Sequence, residues 1–367
     1  MYLIVILVFL FYLLWIIVKR QNNIEKFYPA WQDATIYSKL SRRLKVGIWR
    51  GWLNINNLLL TNQLLNYTNI DIVFFESNRE AIHNLLTLKK VDIVITTEAD
   101  YGIYLSNSLQ DILKTNISTK KTISKNKDKI LDNFNTRRLF TFYDVYRILL
   151  VDNVQINKPS DLSEKVIEIT NITNNIYRLD LDLLSKINYT QVYRSTDRGK
   201  NKYDSINKLG LQINGYFTQY DYPNLDLTEI SKNKNSTIID LFSNKNNDYS
   251  NKILEPDIIL DKYFYLSKGR MKLDAYPEIK KRRKQAIEMN NLPYDPNYVN
   301  CYKYKMMMIT REDVNDEWIY LFTKDIIDNI NTIKKNVPYL HEVIKKEMYV
   351  SSLNDILPIH RAVYKEK

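Results

Sequence analysis

The side chains best equipped for chemistry are few and scattered. The single cysteine, Cys301, has no histidine near it in sequence, and His83, His341 and His360 show no HExxH-type pairing that would hold zinc. No serine stands in a nucleophile elbow, and no phosphate-cradling or dinucleotide-binding glycine pattern follows a strand. The expectation is a protein that binds rather than catalyses, with no cofactor and no metal site. A lone cysteine also excludes an internal disulfide framework. The 53 Lys and Arg against 42 Asp and Glu give a net charge of +11, which suits an acidic ligand, an anionic membrane surface or nucleic acid. The positive charge is interleaved through the chain, and its densest run, Lys280 to Lys284 (KKRRK), reads as a solvated helix face. Nucleic acid is therefore not expected as a partner.

The first eighteen residues, Met1 to Val18, carry no charged side chain and close on Lys19 and Arg20. A run of that length just crosses a hydrocarbon core of about 30 Å, and no small-x-small cleavage site follows it. Residues 1–19 are expected to be a retained single-pass transmembrane anchor. By the positive-inside rule Lys19, Arg20 and Lys26 would place the body on the cytoplasmic side, but a binding subunit serving a transporter would face outward, so the side stays open.

Beyond a tether, residues 20–43, short apolar strands alternate with helical patterns. Strands are expected at Leu44–Trp49, Ile70–Phe75 and Val91–Ile95, with helices at Leu53–Leu65 and Asn78–Lys90 between them. That β-α-β-α-β order argues for a parallel sheet covered on both faces, its strand C-termini along one edge, where open α/β sheets bind ligands. Leu113 to Arg138 reads as a polar surface excursion. Strands resume at Val145–Val151 and Val166–Ile169, a further segment ends near Ile213–Phe217, and Tyr302–Ile309 is a Met-rich strand before a helix over Asp313–Asn336.

Read in order, five segments resemble the TAXI family, the solute-binding subunits of TRAP transporters. They are KVGIWRG at 45–51, SNREAIHNLLTLKKVDIVITTEAD at 77–100, YRILLVDNVQINKPSDLSEKVIEI at 146–169, INGYFTQYDYP at 213–223 and LPIHRAVYKE at 357–366. The resemblance implies an α/β, two-lobed fold of the type II periplasmic-binding-protein kind behind an N-terminal transmembrane helix. Residues 44–150 would form the first part of lobe 1, 151–261 lobe 2, and 262–367 the return to lobe 1 with C-terminal helices. Two sheets, one per lobe, would converge on a cleft.

Carried onto matching positions, the resemblance implies a cleft lined by Trp49, Arg50, Trp52, Ser77, Asn78, Glu98, Asp100, Thr170, Asn171, Tyr216, Gln219 and Tyr220, each at the C-terminal edge of a strand. Arg50 can clamp a carboxylate, and Trp49 and Trp52 can pack an apolar ligand portion or belong to the core. Ser77 can meet an anion at a helix start or serve as N-cap with Glu80 as its capping-box partner. Asp100 can bind ligand or simply turn the chain. The family uses glycine-rich loops where this chain has Trp49-Arg50-Gly51-Trp52 and Thr170-Asn171-Ile172-Thr173, and only 7 glycines occur in all.

Two functions follow. One is a membrane-tethered receptor capturing a small anionic or amphipathic ligand, with a possible membrane protein partner. The other is a repurposed, non-catalytic scaffold of the same fold that mediates protein or membrane-surface association. An unusual enzyme stays open, although a pyrimidine-precursor synthase on this fold would want a histidine and cysteine cluster that is not found.

Overall fold

The computed structural model describes residues 43–50, 70–113, 135–151, 159–170, 184, 191–195, 215–221, 236–242, 259–260, 263, 265–292, 294–336, 348, 357, 359–360 and 363. The expected anchor at 1–19, the tether up to residue 42 and the helix at 53–65 lie outside them. Among the described residues no helix is long and apolar enough to cross a membrane.

Three apolar segments, β1 (Leu44–Trp49), β2 (Ile70–Phe75) and β3 (Ile93–Thr97), pair in parallel in the order β2-β1-β3. Helix α1 (Asn78–Leu86) follows β2, and helix α2 (Glu98–Leu113) leaves β3 directly. α1 stops at Leu86, short of the expected Lys90, because the chain turns at Thr87 and Lys89 takes a left-handed φ of 51°. α2 was not expected. Gly102 lets it pack closely: a Cβ there would lie 2.6 Å from Tyr265 Cδ1.

Next to β3 lies a strand from the far end of the chain, β10 (Tyr298–Arg311), antiparallel to it. β10 in turn pairs antiparallel with β4 (Thr136–Val151), whose first half replaces part of the polar excursion expected up to Arg138. β4 then enters a second set: β5 (Val166–Thr170), β6 (Gln191–Ser195) and β7 (Gly215–Asp221) are mutually parallel, and β7 runs antiparallel to β4. The short β8 (Thr237–Ile239) flanks the end of β4, and β9 (Ser267–Lys272) flanks the start of β10.

The expectation of two separate sheets is therefore corrected to one ten-stranded network, β2-β1-β3-β10-β4-β7-β5-β6 with β8 and β9 attached. The reason is β4, a single sixteen-residue strand that pairs with β10, the neighbour of β3, along most of its length and with β7 and β8 toward its end. Within that network the same order occurs twice. β2-β1-β3-β10-β4 is matched by β6-β5-β7-β4-β8: three parallel strands, then an antiparallel one, then a fifth.

Helix α3 (Pro277–Asn290) carries the KKRRK run, and its members differ. Lys281 and Lys284 are exposed, as a solvated face requires, but Arg283 is buried with Asp240. The Arg283 guanidinium donates to Asp240 Oδ2 and to the Ile238 carbonyl at 3.1 Å, while Asp240 Oδ1 accepts the backbone N–H of Asn300 at 2.7 Å. This pair fastens the end of β8 to α3 and to the start of β10. Helix α4 (Asp316–Asn336) starts after the Asn315 side chain accepts the N–H of Glu317 at 2.9 Å, and it buries Ile319, Phe322, Ile326, Ile330 and Ile333 at helical spacing.

Arg283→Ala or Asp240→Ala alone should lower the urea-unfolding free energy by about 3–5 kcal/mol, because each leaves a buried charge unpaired. Arg43→Ala, which breaks the exposed 3.0 Å pair with Asp71, should cost no more than about 1 kcal/mol. Comparable losses for the two changes would contradict this assignment.

Candidate functional site

Strand direction decides where functional groups gather. β10 is antiparallel to β3 and β4 is antiparallel to β10, so β4 runs with β1, β2 and β3; β7, β5 and β6 run against it. The C-terminal tips of the two sets therefore point toward each other along β4. β3 ends at Thr97 opposite Met306, and the adjoining Met307 pairs with Thr141, which sets that tip level with Phe142 and Tyr143. β7 ends at Asp221 opposite Val145. Measured along β4, the two tips lie about 7–10 Å apart.

At that level the covering of the sheet thins. Thr141, Tyr143, Asp144 and Tyr146 on β4 and Lys303 and Lys305 on β10 are half-buried, between stretches that are almost wholly buried. Asp144 and Lys305 face each other in register, as do Tyr146 and Lys303, so these four share one face of the two-strand ribbon. Lys303 Nζ donates to Asp144 Oδ2 at 2.6 Å. Between the pairs Lys305–Asp144 and Met307–Thr141 the register slips, three steps on β4 against two on β10, a bulge that bends β4 as it leaves the first set. These floor residues were missed by sequence reasoning. Their signal was charge, Asp144 on β4 and Lys303 and Lys305 on β10, set among apolar neighbours.

At the tips of the first set, Trp49 is partly buried against the main core, as a packing residue is. Arg50 pairs with Glu76 at 3.1 Å, with 64% and 53% of the two side chains exposed, so the contact is weak and open to exchange. Ser77 is spent on capping: its Oγ accepts the Glu80 N–H at 3.1 Å, and Glu80 Oε2 reaches back to the Glu76 N–H at 3.0 Å. That reaches one residue beyond the expected capping box, which would end on the Ser77 N–H. Glu98 accepts the Lys305 N–H at 3.4 Å and ties the start of α2 to the crossing ribbon.

Asn78 and Asp100 meet although they stand 22 residues apart: Asn78 Nδ2 donates to Asp100 Oδ2 at 2.6 Å. Thr97 Oγ1 donates to the same oxygen at 2.7 Å and accepts the Asp100 N–H at 3.0 Å, capping α2. Burial holds the Asp100 carboxyl above the usual carboxylate range, against the pull of the Thr97 and Asn78 hydrogen bonds.

Of the expected cleft residues in the second set only backbone positions are described. Thr170 closes β5; Gln219 and Tyr220 lie in the last three residues of β7, opposite Arg147 and Tyr146. Tyr216 is a correction. It is the second residue of β7, opposite Leu150, because β7 runs on to Asp221 instead of ending near Phe217, and this puts Tyr216 at the far end from the tip. Trp52 and Asn171 lie outside the described residues.

No family model matches the chain, and no curated relative does. Solved structures similar to it include an amino acid ABC transporter substrate-binding protein of Streptococcus pneumoniae bound to L-arginine, at 11% identity and a TM-score of 0.40, over 84% of this chain and 100% of that one. An ancestral arginine-binding protein gives 10% identity and 0.41 over 81% and 99%, and a Xanthomonas citri protein bound to ATP gives 9% and 0.42 over 89% and 95%. Overlays of this quality assign neither a family nor a ligand. The strand order and directions above rest on this chain's own hydrogen bonds.

Because the folded-state value of Asp100 is raised, its contribution to stability is full below the ordinary carboxylate range near about 3.9 and is lost as pH rises through the folded value. The melting-temperature advantage of wild type over Asp100→Asn should therefore be larger at pH 4 than at pH 7. A flat or opposite trend would show that burial does not govern this carboxyl.

Proposed function

We propose that the chain is a membrane-tethered solute-binding protein of the TAXI type, on a two-lobed fold of the type II periplasmic-binding-protein kind. Its halves close on a small anionic or amphipathic ligand, it makes and breaks no bonds, residues 1–19 hold it to a membrane, and a membrane protein is its partner in transport. What favours a receptor is the opposed direction of the two strand sets. Parallel strands offer ligand-binding groups at their C-terminal ends. Here both sets of ends converge on one half-exposed level of β4 and β10. Two long strands crossing between halves are also what hinge closure needs, since a small change of twist at the β4 bulge reorients one half against the other. Arg50, held only by an exposed partner, is the cation available to an acid group.

The full chain, purified in mild detergent, should show a saturable rise in melting temperature with one class among keto acids, dicarboxylates and amino acids. At one hundred times Kd the gain is about 2.7 kcal/mol. Small-angle scattering should show compaction with the same compound, and Arg50→Ala should weaken it about tenfold. No shift with any class, together with an unchanged radius of gyration, would sink the receptor.

A further inference from the structure

Strand β9 and helix α3 carry a basic surface outside the candidate site. Along β9, Lys268, Arg270 and Lys272 alternate with buried Gly269 and Met271, so the three cations stand exposed on one face of the strand. The basic run Lys280–Lys284 follows on α3, and of its members Arg283 turns inward to Asp240. Lys281 and Lys284, three positions apart, share the outer face of the helix.

Two contacts make strand and helix one surface. Lys280 Nζ donates to Asp274 Oδ1 at 2.8 Å, and the charge of Lys272 acts on the same carboxylate. Asp295 accepts from Arg270 at 2.9 Å through Oδ2, while its backbone carbonyl accepts the Arg283 Nε–H at 3.4 Å. The acidic residues leave the surface positive. Lys284 and Glu288 stand 3.8 Å apart with 63% of both side chains exposed, and Lys281 has no ion-pair partner among the described residues. Exposed pairs of this kind give way to another anion at little cost. Charges on an edge strand also discourage unwanted sheet pairing, but that need ends at β9 and does not explain the helix.

At the rim of the helix's outer face stands Met289, 76% exposed, more than any other large apolar side chain among the described residues. Cations around a bare methionine match a bilayer surface, where ammonium groups meet anionic headgroups and the thioether enters the boundary with the acyl chains. Nucleic acid fits less well, because bases need an open ring to stack on and Tyr298 is already covered by the Arg270 guanidinium, 4.5 Å from its centroid.

We propose that the β9–α3 face docks on an anionic lipid bilayer, with Lys268, Lys272, Lys281 and Lys284 on the headgroups and Met289 in the interface. Docking requires no ligand in the cleft, so it stands or falls apart from the receptor function. β9 runs from Ser267, opposite Lys303, to Lys272, opposite Tyr298, so the docked face extends away from the crossing.

The test uses the full chain held in phosphatidylcholine nanodiscs, which accommodate the apolar run Met1–Val18, and asks whether separate vesicles carry it up a density gradient. Vesicles with about one-third phosphatidylglycerol should float at least about tenfold more chain than pure phosphatidylcholine, and about 0.5 M salt should remove the difference. Lys272→Gln, Lys281→Gln and Lys284→Gln combined should weaken the association at least about tenfold. Lys45→Gln, Arg79→Gln and Lys90→Gln combined, which remove the same charge from exposed positions around β1 and α1, should leave most of it in place. Cys301 is wholly buried, so a polarity-sensitive dye on Met289→Cys labels that position selectively, and its emission should shift to the blue on the anionic vesicles alone. The lipid comparison needs no variant, so it stands even if one fails to fold. Equal flotation with neutral vesicles, or equal loss in the two triple variants, overturns this surface. An unshifted dye on vesicles that do float the chain overturns the entry of Met289. Vesicles left unbound while a DNA duplex or polyglutamate binds overturn the bilayer in favour of a polyanion. None of these results touches the receptor.

Discussion

Everything in this fold depends on the pairing of β4 with β10. Each strand is long enough to belong to both halves, and each sits between neighbours that come from distant parts of the chain. β10 gives β3 its antiparallel neighbour; β4 gives β7 its own. Without that ribbon there would be two three-stranded parallel fragments with exposed edges, which parallel sheets do not tolerate. The ribbon also fixes polarity. Reversing the direction of one strand set relative to β4 would send its tips outward, and the half-exposed belt around Asp144 and Lys303 would face the C-terminal tips of the other set alone.

Polar groups concentrate where this ribbon needs fastening or leaves a face uncovered. At one end, the Asp240–Arg283 pair joins β8, α3 and β10 in a fully buried contact whose every strong acceptor is met. At the crossing, the Lys303–Asp144 bond lies half in solvent beside the bulge. The first is a rigid joint, since an ion pair that deep cannot be rehydrated without large loss. The second can exchange with water at little cost. Rigidity at the base and adaptability at the crossing are what the hinge proposed above would need.

How much of this was legible in the sequence follows physical lines. β1, β2 and the C-terminal part of β10 are near-continuous apolar runs bounded by polar residues, and periodicity finds such segments. The first half of β4 was hidden by Arg137 and Arg138, which read as surface until Glu312 and Thr141 are seen to receive them. β8 has three residues, too few for any period, and the KKRRK run, which did read as a helix face, gave no sign that Arg283 turns inward to Asp240. Of the candidate site, the stretch from Ser77 to Asp100 was legible because helix starts and strand ends leave local signatures. The pairing of Asp144 with Lys303 across 159 residues leaves none, and Tyr216 was misplaced by an error in where β7 ends.

The strand order also bears on how the chain is made. Thr97 closes β3, and its partner Met306 follows 209 positions later. At a synthesis rate of about 5–20 residues per second, the apolar edge Ile93–Thr97 waits roughly 10–40 s on the ribosome for its mate. The second strand set emerges during that interval and takes β4 before β10 exists. The pairing that joins the first set to the rest is thus the last one synthesis permits, and the nascent β3 edge is where a holdase chaperone would be most needed.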